Sequence, residues 1–480
     1  EPVDAPTVDM SGFWADLQSL LASLPAHGRL LWAGHHSAAV AAADRASLAP
    51  HAAAQAAAVR AACAENRLAC AVVDLDPADP VEARARQIAA ELAALRPGAD
   101  TVAAYRAAAR FVPAAVPAAA GGPVELARDG YYLVTGGLGA VGRRLVGQLV
   151  ECGATRVGII GRSRPGPDAE AFLRDVGGRA EVDYRSCDVT DDDALRAAAA
   201  AFATRWGPLR GVVHCSGTAN RFGSARRRPW ADAAGVIAPK VAGSLNVIRL
   251  ASSAGAEFVV LVSSIAGTMP EAGRGLVDYA LANAYQLALA ERETGAGTVV
   301  TAHAWPAWTG VGMQANASFA SAHAISPDQA LRAFTAYLRA GGGVIFPGGA
   351  VDAPADQADT APVTPPAQAP DALVGLVRDA FQDVLGEDPG DRAVAELGLD
   401  SLAIADLAAA LERRSGQSVL PSVIMRAKTV DDIAAALAPG ARAEANGAAA
   451  LTAVIPAPRP PADDTLSDLL RPLLVEGRES

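Results

Sequence analysis

The stretch from Tyr131 to Gly142 constrains this chain most. An apolar run, Tyr131-Tyr132-Leu133-Val134, passes through Thr135-Gly136 into Gly137-Leu138-Gly139-Ala140-Val141-Gly142, and a helix-like segment, Arg143 to Cys152, follows at once. A strand feeding a Gly-x-Gly-x-x-Gly turn and a helix makes an anion site. On this pattern Gly137 permits the tight turn, Gly139 lets backbone approach a pyrophosphate, and Gly142 allows close packing of helix on strand. The helix N-terminus adds N–H groups and the positive end of its dipole. Glycine-rich turns also arise for geometric reasons alone, so the rest of the chain must supply the meaning.

At 480 residues the chain exceeds one ordinary domain, and two to four units are expected. The composition, 51% hydrophobic and 19% charged, is that of a globular protein. A net charge of −11 with no basic stripe argues against nucleic acid as a partner. The one basic triplet, Arg226-Arg227-Arg228, reads as a solvated loop. Cys63, Cys70, Cys152, Cys187 and Cys215 are scattered without a Cys-x-x-Cys pair, and the seven histidines lack ligand spacing. Neither a disulfide framework nor a metal site is indicated. No unbroken apolar stretch reaches the roughly 18 residues of a membrane span. The start, Glu1-Pro2-Val3-Asp4, has neither signal-peptide character nor an initiator methionine. The expectation is a reduced, cytoplasmic piece of a longer polypeptide.

Strand-like and helix-like segments alternate along most of the chain, which predicts α/β layers with parallel sheets. Residues 1–28 hold a short amphipathic helix, with Ser11 as its cap and Phe13, Leu17, Leu20 and Leu21 on one side. Residues 29–122 form a first α/β unit, with strands Arg29–Ala33 and Ala69–Asp74 and helices Ala38–Arg67 and Glu82–Leu95. Its first strand runs into Gly34-His35-His36-Ser37 rather than a glycine fingerprint, so its role is read as structural. Residues 123–349 supply the strands Tyr131–Thr135, Arg156–Gly161, Glu181–Ser186, Leu209–His214, Glu257–Ser263, Thr298–Ala304 and Gly343–Phe346, a count that suits a doubly wound domain. A Pro/Ala/Asp-rich linker occupies 350–370. Residues 371–438 read as a small helical bundle with twelve acidic against six basic residues. Residues 439–480 read as a second linker, with a possible docking helix at Asp464–Leu474.

Two groups of residues carry chemistry. Ser264 follows a strand whose carboxyl end is where open α/β sheets bind ligands. Tyr279 and Asn283 are four apart on one helical face. A lysine near the phenol, Lys240, raises its acidity, so the phenol can protonate a carbonyl oxygen as hydride reaches carbon. The Ser264 hydroxyl can orient the same oxygen. In the small bundle, Gly398-Leu399-Asp400-Ser401-Leu402 puts Ser401 at a helix N-terminus, where a phosphodiester is favoured. The bland alternative is a plain capping serine.

The motifs Thr135 to Gly142, Asp188-Val189, His214-Cys215-Ser216-Gly217, Pro239-Lys240-Val241, Ser263-Ser264, Tyr279-x-x-x-Asn283 and Trp305-Pro306-Ala307-Trp308 resemble the ketoreductase domain of modular polyketide synthases. That domain has the short-chain dehydrogenase/reductase fold. The resemblance implies a Rossmann-like catalytic subdomain and, over residues 29–112, a truncated Rossmann-like structural subdomain. Gly-Leu-Asp-Ser-Leu in a small acidic bundle is similar to an acyl carrier protein, an all-α, four-helix domain whose serine bears 4′-phosphopantetheine. Carried over residue by residue, Tyr279 is the general acid and Ser264 polarises the carbonyl, with Ser263 its fallback. Lys240 and Asn283 tune the tyrosine and hold a relay water. Thr135, Gly136, Gly137, Leu138, Gly139, Val141 and Gly142 hold the pyrophosphate, with Ser216 and Gly217 also against the cofactor. Asp188 and Val189 contact the adenine, Arg162 takes the 2′-phosphate of NADPH, and Ser163 beside it binds the cofactor. Ser401 bears the arm.

The resemblance implies NADPH-dependent reduction of a carrier-borne β-ketoacyl thioester. The implied partners are a phosphopantetheinyl transferase, a ketosynthase, an acyltransferase and a downstream module or releasing domain, within a homodimeric parent synthase. Two alternatives stand beside this: an α-ketoacyl substrate, or a catalytically inactive scaffold with a working carrier. The chain departs from the family pattern in three places that bear on the site. Ile265 to Asp278 is two residues longer than usual. Thr218-Ala219-Asn220-Arg221 replaces a Leu-Asp-Asp signature, and Glu271 stands where a tryptophan marks the other stereochemical class.

Overall fold

The computed structural model describes residues 10–25, 27–116, 124–219, 222–293, 297–312, 324–338, 341–347, 370–385, 429–437 and 452–456, with isolated positions between 389 and 427. It divides into two units, residues 1–355 with 450–480, and residues 356–449. Among the described residues no helix is long and apolar enough to cross a membrane.

The first unit opens with helix α1 (Met10–Ser23), which buries Met10, Phe13, Trp14, Leu17 and Leu21. It begins one residue before Ser11, which is therefore inside the helix rather than its cap. Strands β1 (Arg29–Gly34) and β2 (Ala69–Asp74) are almost wholly buried apolar runs, as expected of parallel strands covered on both faces. The long helix expected from Ala38 to Arg67 is broken. A 3₁₀ turn, Ala42–Ser47, is followed by α2 (Pro50–Asn66) with Pro50 in its first turn and Arg67 ending it at φ 56°. Proline lacks the N–H that would continue an incoming helix but suits the start of a new one. Helix α3 (Val81–Ala94) leads to β3 (Asp100–Arg106) and β4 (Ala109–Phe111), an antiparallel pair the sequence reading lacks. Their two-residue turn puts Ala107 and Ala108 at φ 47° and 64°. Such turns usually show as Asn-Gly or Asp-Gly, so two alanines gave no signal.

The second sheet follows the expected alternation closely. Its elements are β5 (Tyr131–Thr135), α4 (Ala140–Glu151), β6 (Arg156–Gly161), α5 (Pro167–Gly177), β7 (Glu181–Ser186), α6 (Asp192–Trp206), β8 (Leu209–His214), α7 (Trp230–Ser253), β9 (Phe258–Ser264), α8 (Val277–Arg292), β10 (Val299–Trp305), α9 (Pro327–Tyr337) and β11 (Gly343–Ile345). The strand order is β11-β10-β9-β8-β5-β6-β7, every ladder parallel. The order reverses beside β5, and ligands of open sheets bind in such a crevice at the strands' carboxyl ends. Thr135 and His214 are register partners there.

One core spans both sheets. It includes Trp14, Trp32, Val59 and Cys63 from the first sheet's half and Tyr131, Val259, Leu281 and Leu289 from the second sheet's half. Helix α2 lies along α8. Ala54, Ala58, Ala61 and Ala62 of α2 and Ala280, Ala284 and Ala288 of α8 are buried, and such small side chains let two helix backbones approach closely.

The first sheet, in the order β12-β1-β2-β3-β4, ends on a strand drawn from beyond the carrier. β12 (Thr452–Pro456) runs parallel to β1, with Leu31 opposite Val454. This corrects the reading of 439–480 as linker: a short β-branched run sits among its alanines and prolines and satisfies the open β1 edge.

The second unit has α10 (Pro370–Leu385), a 3₁₀ turn at Val394–Leu397 and α11 (Val430–Leu437). Leu373, Val377, Phe381, Leu407, Leu411, Ile424, Val430 and Ile433 form its core. Ser401 and the Asp464–Leu474 segment lie outside the described residues.

Candidate active site

The glycine turn closes as a strand-to-helix corner, with Gly136 N–H donating to Ile160 O at 2.7 Å and Gly139 N–H to Gly136 O at 3.0 Å. The roles within it differ from the sequence reading. Gly136, not Gly137, takes the left-handed conformation, at φ 67°. Gly137 is required by crowding instead, since a Cβ there would lie 2.9 Å from Ile159. Gly142 does the expected work, for its Cβ would lie 2.3 Å from the Gly136 carbonyl. No side chain caps α4 and its first turn holds no acid, so the N-terminus is available to an anion. Leu138 and Val141 are partly buried on the flank of the neighbouring core.

The turn is tied to the next strand. His214 Nδ1 pairs with Thr135 Oγ1 at 2.7 Å, and His214 Nε2 pairs with the Pro239 carbonyl at 3.0 Å. Burial, with the nearby Lys240 charge, pushes the imidazole down to about 3, so it is neutral. In neutral form Nε2–H donates to Pro239 O and Nδ1 accepts from Thr135. His214 is thus a peg between the glycine-turn strand and the helix bearing Lys240. Ser216 N–H donates to Thr135 Oγ1 at 3.2 Å. Gly217 lies against the Lys240 stem, a Cβ there falling 3.0 Å from its Cε.

Tyr279, Ser264 and Asn283 are brought together. The Ser264 and Asn283 side chains lie close enough to the phenol to favour its ionised form, but burial outweighs them and pushes it above its usual range. Lys240 Nζ sits 5.9 Å from the centre of the Tyr279 ring and donates to Val262 O and Gln286 Oε1, each at 2.9 Å. Both of these hydrogen bonds go to groups other than the phenol hydroxyl. Burial also pulls the Lys240 ammonium down to about 8. Asn283 Nδ2 donates to the Tyr279 carbonyl at 2.7 Å. Ser263, the fallback, is buried beneath the site, donating to Asn283 O and Oδ1 at 3.1 and 3.2 Å. Ser264 is the serine that meets the phenol.

The lengthened Ile265–Asp278 segment folds into two 3₁₀ turns, Ile265–Gly267 and Pro270–Gly273. It is pinned to α2, where Arg60 Nη1 donates to Thr268 O at 2.8 Å. Gly273 packs so closely there that a Cβ would lie 2.8 Å from Ala61 Cβ. The extra residues leave Ser264 and Tyr279 in contact.

Arg162 and Ser163 follow β6 and are exposed; the Arg162 carbonyl accepts from Ser186 Oγ at 3.0 Å, and the Ser163 carbonyl from Tyr184 Oη. Asp188 is exposed too, and its Oδ1 takes hydrogen bonds from Thr190 N–H and Oγ1 at 2.9 and 2.8 Å. Val189 is buried against Gly243, and its carbonyl accepts from Asn246. Trp305 and Trp308 are core residues, stacked edge-on at 5.2 Å.

Sequence reasoning missed two supports. Arg228, read as solvated, is buried and ion-paired through Nη1 with the fully buried Asp278, next to Tyr279. Trp14 Nε1 and Gln18 Nε2 of α1 donate to the Arg228 carbonyl at 3.1 and 2.9 Å. The aspartate beside the tyrosine was the available signal, since a buried carboxylate needs a cation. The second support is Gln286, which is fully buried. Its signal lay in Lys240, one of only two lysines in the chain, the other being Lys428, where arginine serves elsewhere.

Comparison with known proteins agrees with this geometry. Residues 130–310 match the family model described as the KR domain, and residues 375–437 match that of the phosphopantetheine attachment site. The chain is 32% identical over 355 residues to the polyketide synthase ThaG of Burkholderia thailandensis, covering 68% of this chain and 6% of that protein. It is 33% identical over 236 residues to the erythronolide synthase EryA2 of Saccharopolyspora erythraea, covering 47% of this chain and 6% of EryA2. Among solved structures, the first ketoreductase of the tylosin synthase superposes with a TM-score of 0.54 at 29% identity, covering 68% of this chain and 71% of that one. A ketoreductase of the bacillaene assembly line shares the fold at TM-score 0.58 and 23% identity, covering 70% and 81%. The chain therefore spans a small fraction of the curated relatives it matches, and it is a ketoreductase and phosphopantetheine-carrier segment of the polyketide synthase family.

Proposed function

We propose that this segment reduces a β-ketoacyl thioester, held on phosphopantetheinylated Ser401, to the β-hydroxyacyl form with NADPH. The observation that carries the reading is the meeting of Tyr279, Ser264 and Asn283 at the carboxyl end of β9, with Lys240 beneath the ring. The glycine turn fits the pyrophosphate through its uncapped helix start and its glycine-only corner. Arg162 and Ser163, exposed after β6, suit the 2′-phosphate, and Val189 with Asp188 the adenine edge. Ser216, against the Gly136 corner, and Gly217, against the Lys240 stem, suit the cofactor wall. When bound, NADPH supplies the hydride. Ser264 donates to the ketone oxygen and orients it. Tyr279, kept protonated by burial, gives its proton to that oxygen as negative charge develops. Lys240 and Asn283 hold the path by which the phenol regains a proton. Intact Ser264–Tyr279 contact, despite the longer loop, favours a working reductase over an inactive scaffold.

The carrier raises the local concentration of substrate, because a tether turns a bimolecular encounter into an intramolecular one. The neighbouring synthase domains and a phosphopantetheinyl transferase are its proposed partners, docking on its acidic surface. The test is NADPH oxidation with a soluble β-ketoacyl thioester. Tyr279→Phe should lower kcat by about 10²–10⁴-fold, the span of general acid catalysis, with folding intact. Arg162→Glu should raise KM for NADPH about 10–100-fold and leave NADH use unchanged, as expected for one charge-assisted phosphate contact. Full activity of Tyr279→Phe contradicts the reading.

A further inference from the structure

We propose that Gln286 and Ser244 form a positioning pair that fixes the Lys240 ammonium beneath Tyr279. The inference rests on the reading of Tyr279 and Lys240 as reductase residues. Gln286 is fully buried on α8, seven residues after Tyr279, and Ser244 is fully buried on α7, four after Lys240. Gln286 Oε1 accepts from Lys240 Nζ at 2.9 Å, Gln286 Nε2 donates to Ser244 Oγ at 2.9 Å, and Ser244 Oγ donates to the Lys240 carbonyl at 2.6 Å. The ring of contacts leaves no freedom in the amide. Ser244 spends its one proton on Lys240 O, so it can only accept from Gln286, and the amide oxygen must then face the lysine.

An ammonium has three donors and no acceptor. Two of its donors go to Val262 O and Gln286 Oε1. Among the described residues Lys240 makes no ion pair. The titratable groups around it are Cys215 and His214 at the end of β8 and Tyr279 on α8. His214 is neutral, and burial holds the Cys215 thiol up at about 11. No anion therefore compensates the buried charge near neutral pH, and the Gln286 oxygen is one of two dipoles that do. A leucine at 286 would keep the volume and remove the dipole, which disfavours the charged form.

The two-lysine composition gives a direct readout. With ¹³Cε-lysine incorporated, NMR should show two lysine signals, and Lys428→Arg assigns them. Gln286→Leu is expected to lower the Lys240 titration midpoint by about one pH unit, the scale of one hydrogen bond to a charged group. The alkaline limb of kcat/KM should move down by the same amount. Gln286→Glu is expected to move both upward, and Ser244→Ala to give a smaller downward shift. A purely structural role would lower stability in these variants without moving either titration. An unchanged Lys240 midpoint in Gln286→Leu overturns the proposal, and if that variant fails to fold, unchanged midpoints in Gln286→Glu and Ser244→Ala overturn it. A wild-type chain that oxidises no NADPH would sink the catalytic reading alone, since the NMR titration decides the positioning pair without turnover.

Discussion

At the scale of single residues, burial dominates the acid–base behaviour of the site. It holds the Tyr279 phenol protonated and pulls the Lys240 ammonium down to about 8. Lys240 is thus the first of the two to titrate as pH rises. It is charged below about 8 and neutral above, so kcat/KM for reduction is expected to fall on the alkaline side with an apparent midpoint near 8. A flat profile through pH 9 would count against the charged lysine. The Arg228–Asp278 pair sits beside the same tyrosine. Asp278→Ala strands a buried guanidinium, which should cost about 3–5 kcal/mol in urea denaturation. Arg228→Met with Asp278→Leu should recover most of that loss, because removing both charges leaves neither unpaired.

At the scale of elements, the sequence and the structure agree where period and punctuation are strong. Every strand of the second sheet was legible within a residue or so of its ends, β7 by the alternation of Val182 and Tyr184 with polar residues and the others mainly as apolar runs, and Tyr279 with Asn283 lay on one helical face as their spacing implies. The misses have physical causes. The β3–β4 turn uses two alanines in left-handed conformations, β12 hides in an alanine- and proline-rich stretch, and the Pro50 break was masked by alanines on both sides. Within the site, the motif residues were legible and their supports were not. Gln286 and Ser244 take their meaning from a contact between α7 and α8 that no local pattern encodes. The β12 strand carries its own prediction. It pairs with β1 over Arg29–Ala33, and alternate amides of a strand face each neighbour. Removing residues 452–480 should speed hydrogen exchange at those β1 amides that face β12 and spare those that face β2. Uniform protection in the shortened chain would show that β12 is not seated there.

At the scale of the whole molecule, two sheets share one core, and α2 of the first sheet's half lies along the helix that bears Tyr279. That half is therefore part of what holds Tyr279, the proposed proton donor. The carrier unit is bounded by chain on both sides: residues before it lead from β11, and residues after it return as β12. A substrate borne on such a carrier stays at high effective concentration. The most direct test of the account follows one acyl chain through one turnover. The chain is converted with a phosphopantetheinyl transferase and a β-ketoacyl coenzyme A, and the intact mass is read before and after NADPH. The acyl group is expected on Ser401, absent in Ser401→Ala, and expected to gain two hydrogens in the wild type but not in Tyr279→Phe. Loading without any mass gain in the wild type, or an equal gain in Tyr279→Phe, would contradict it.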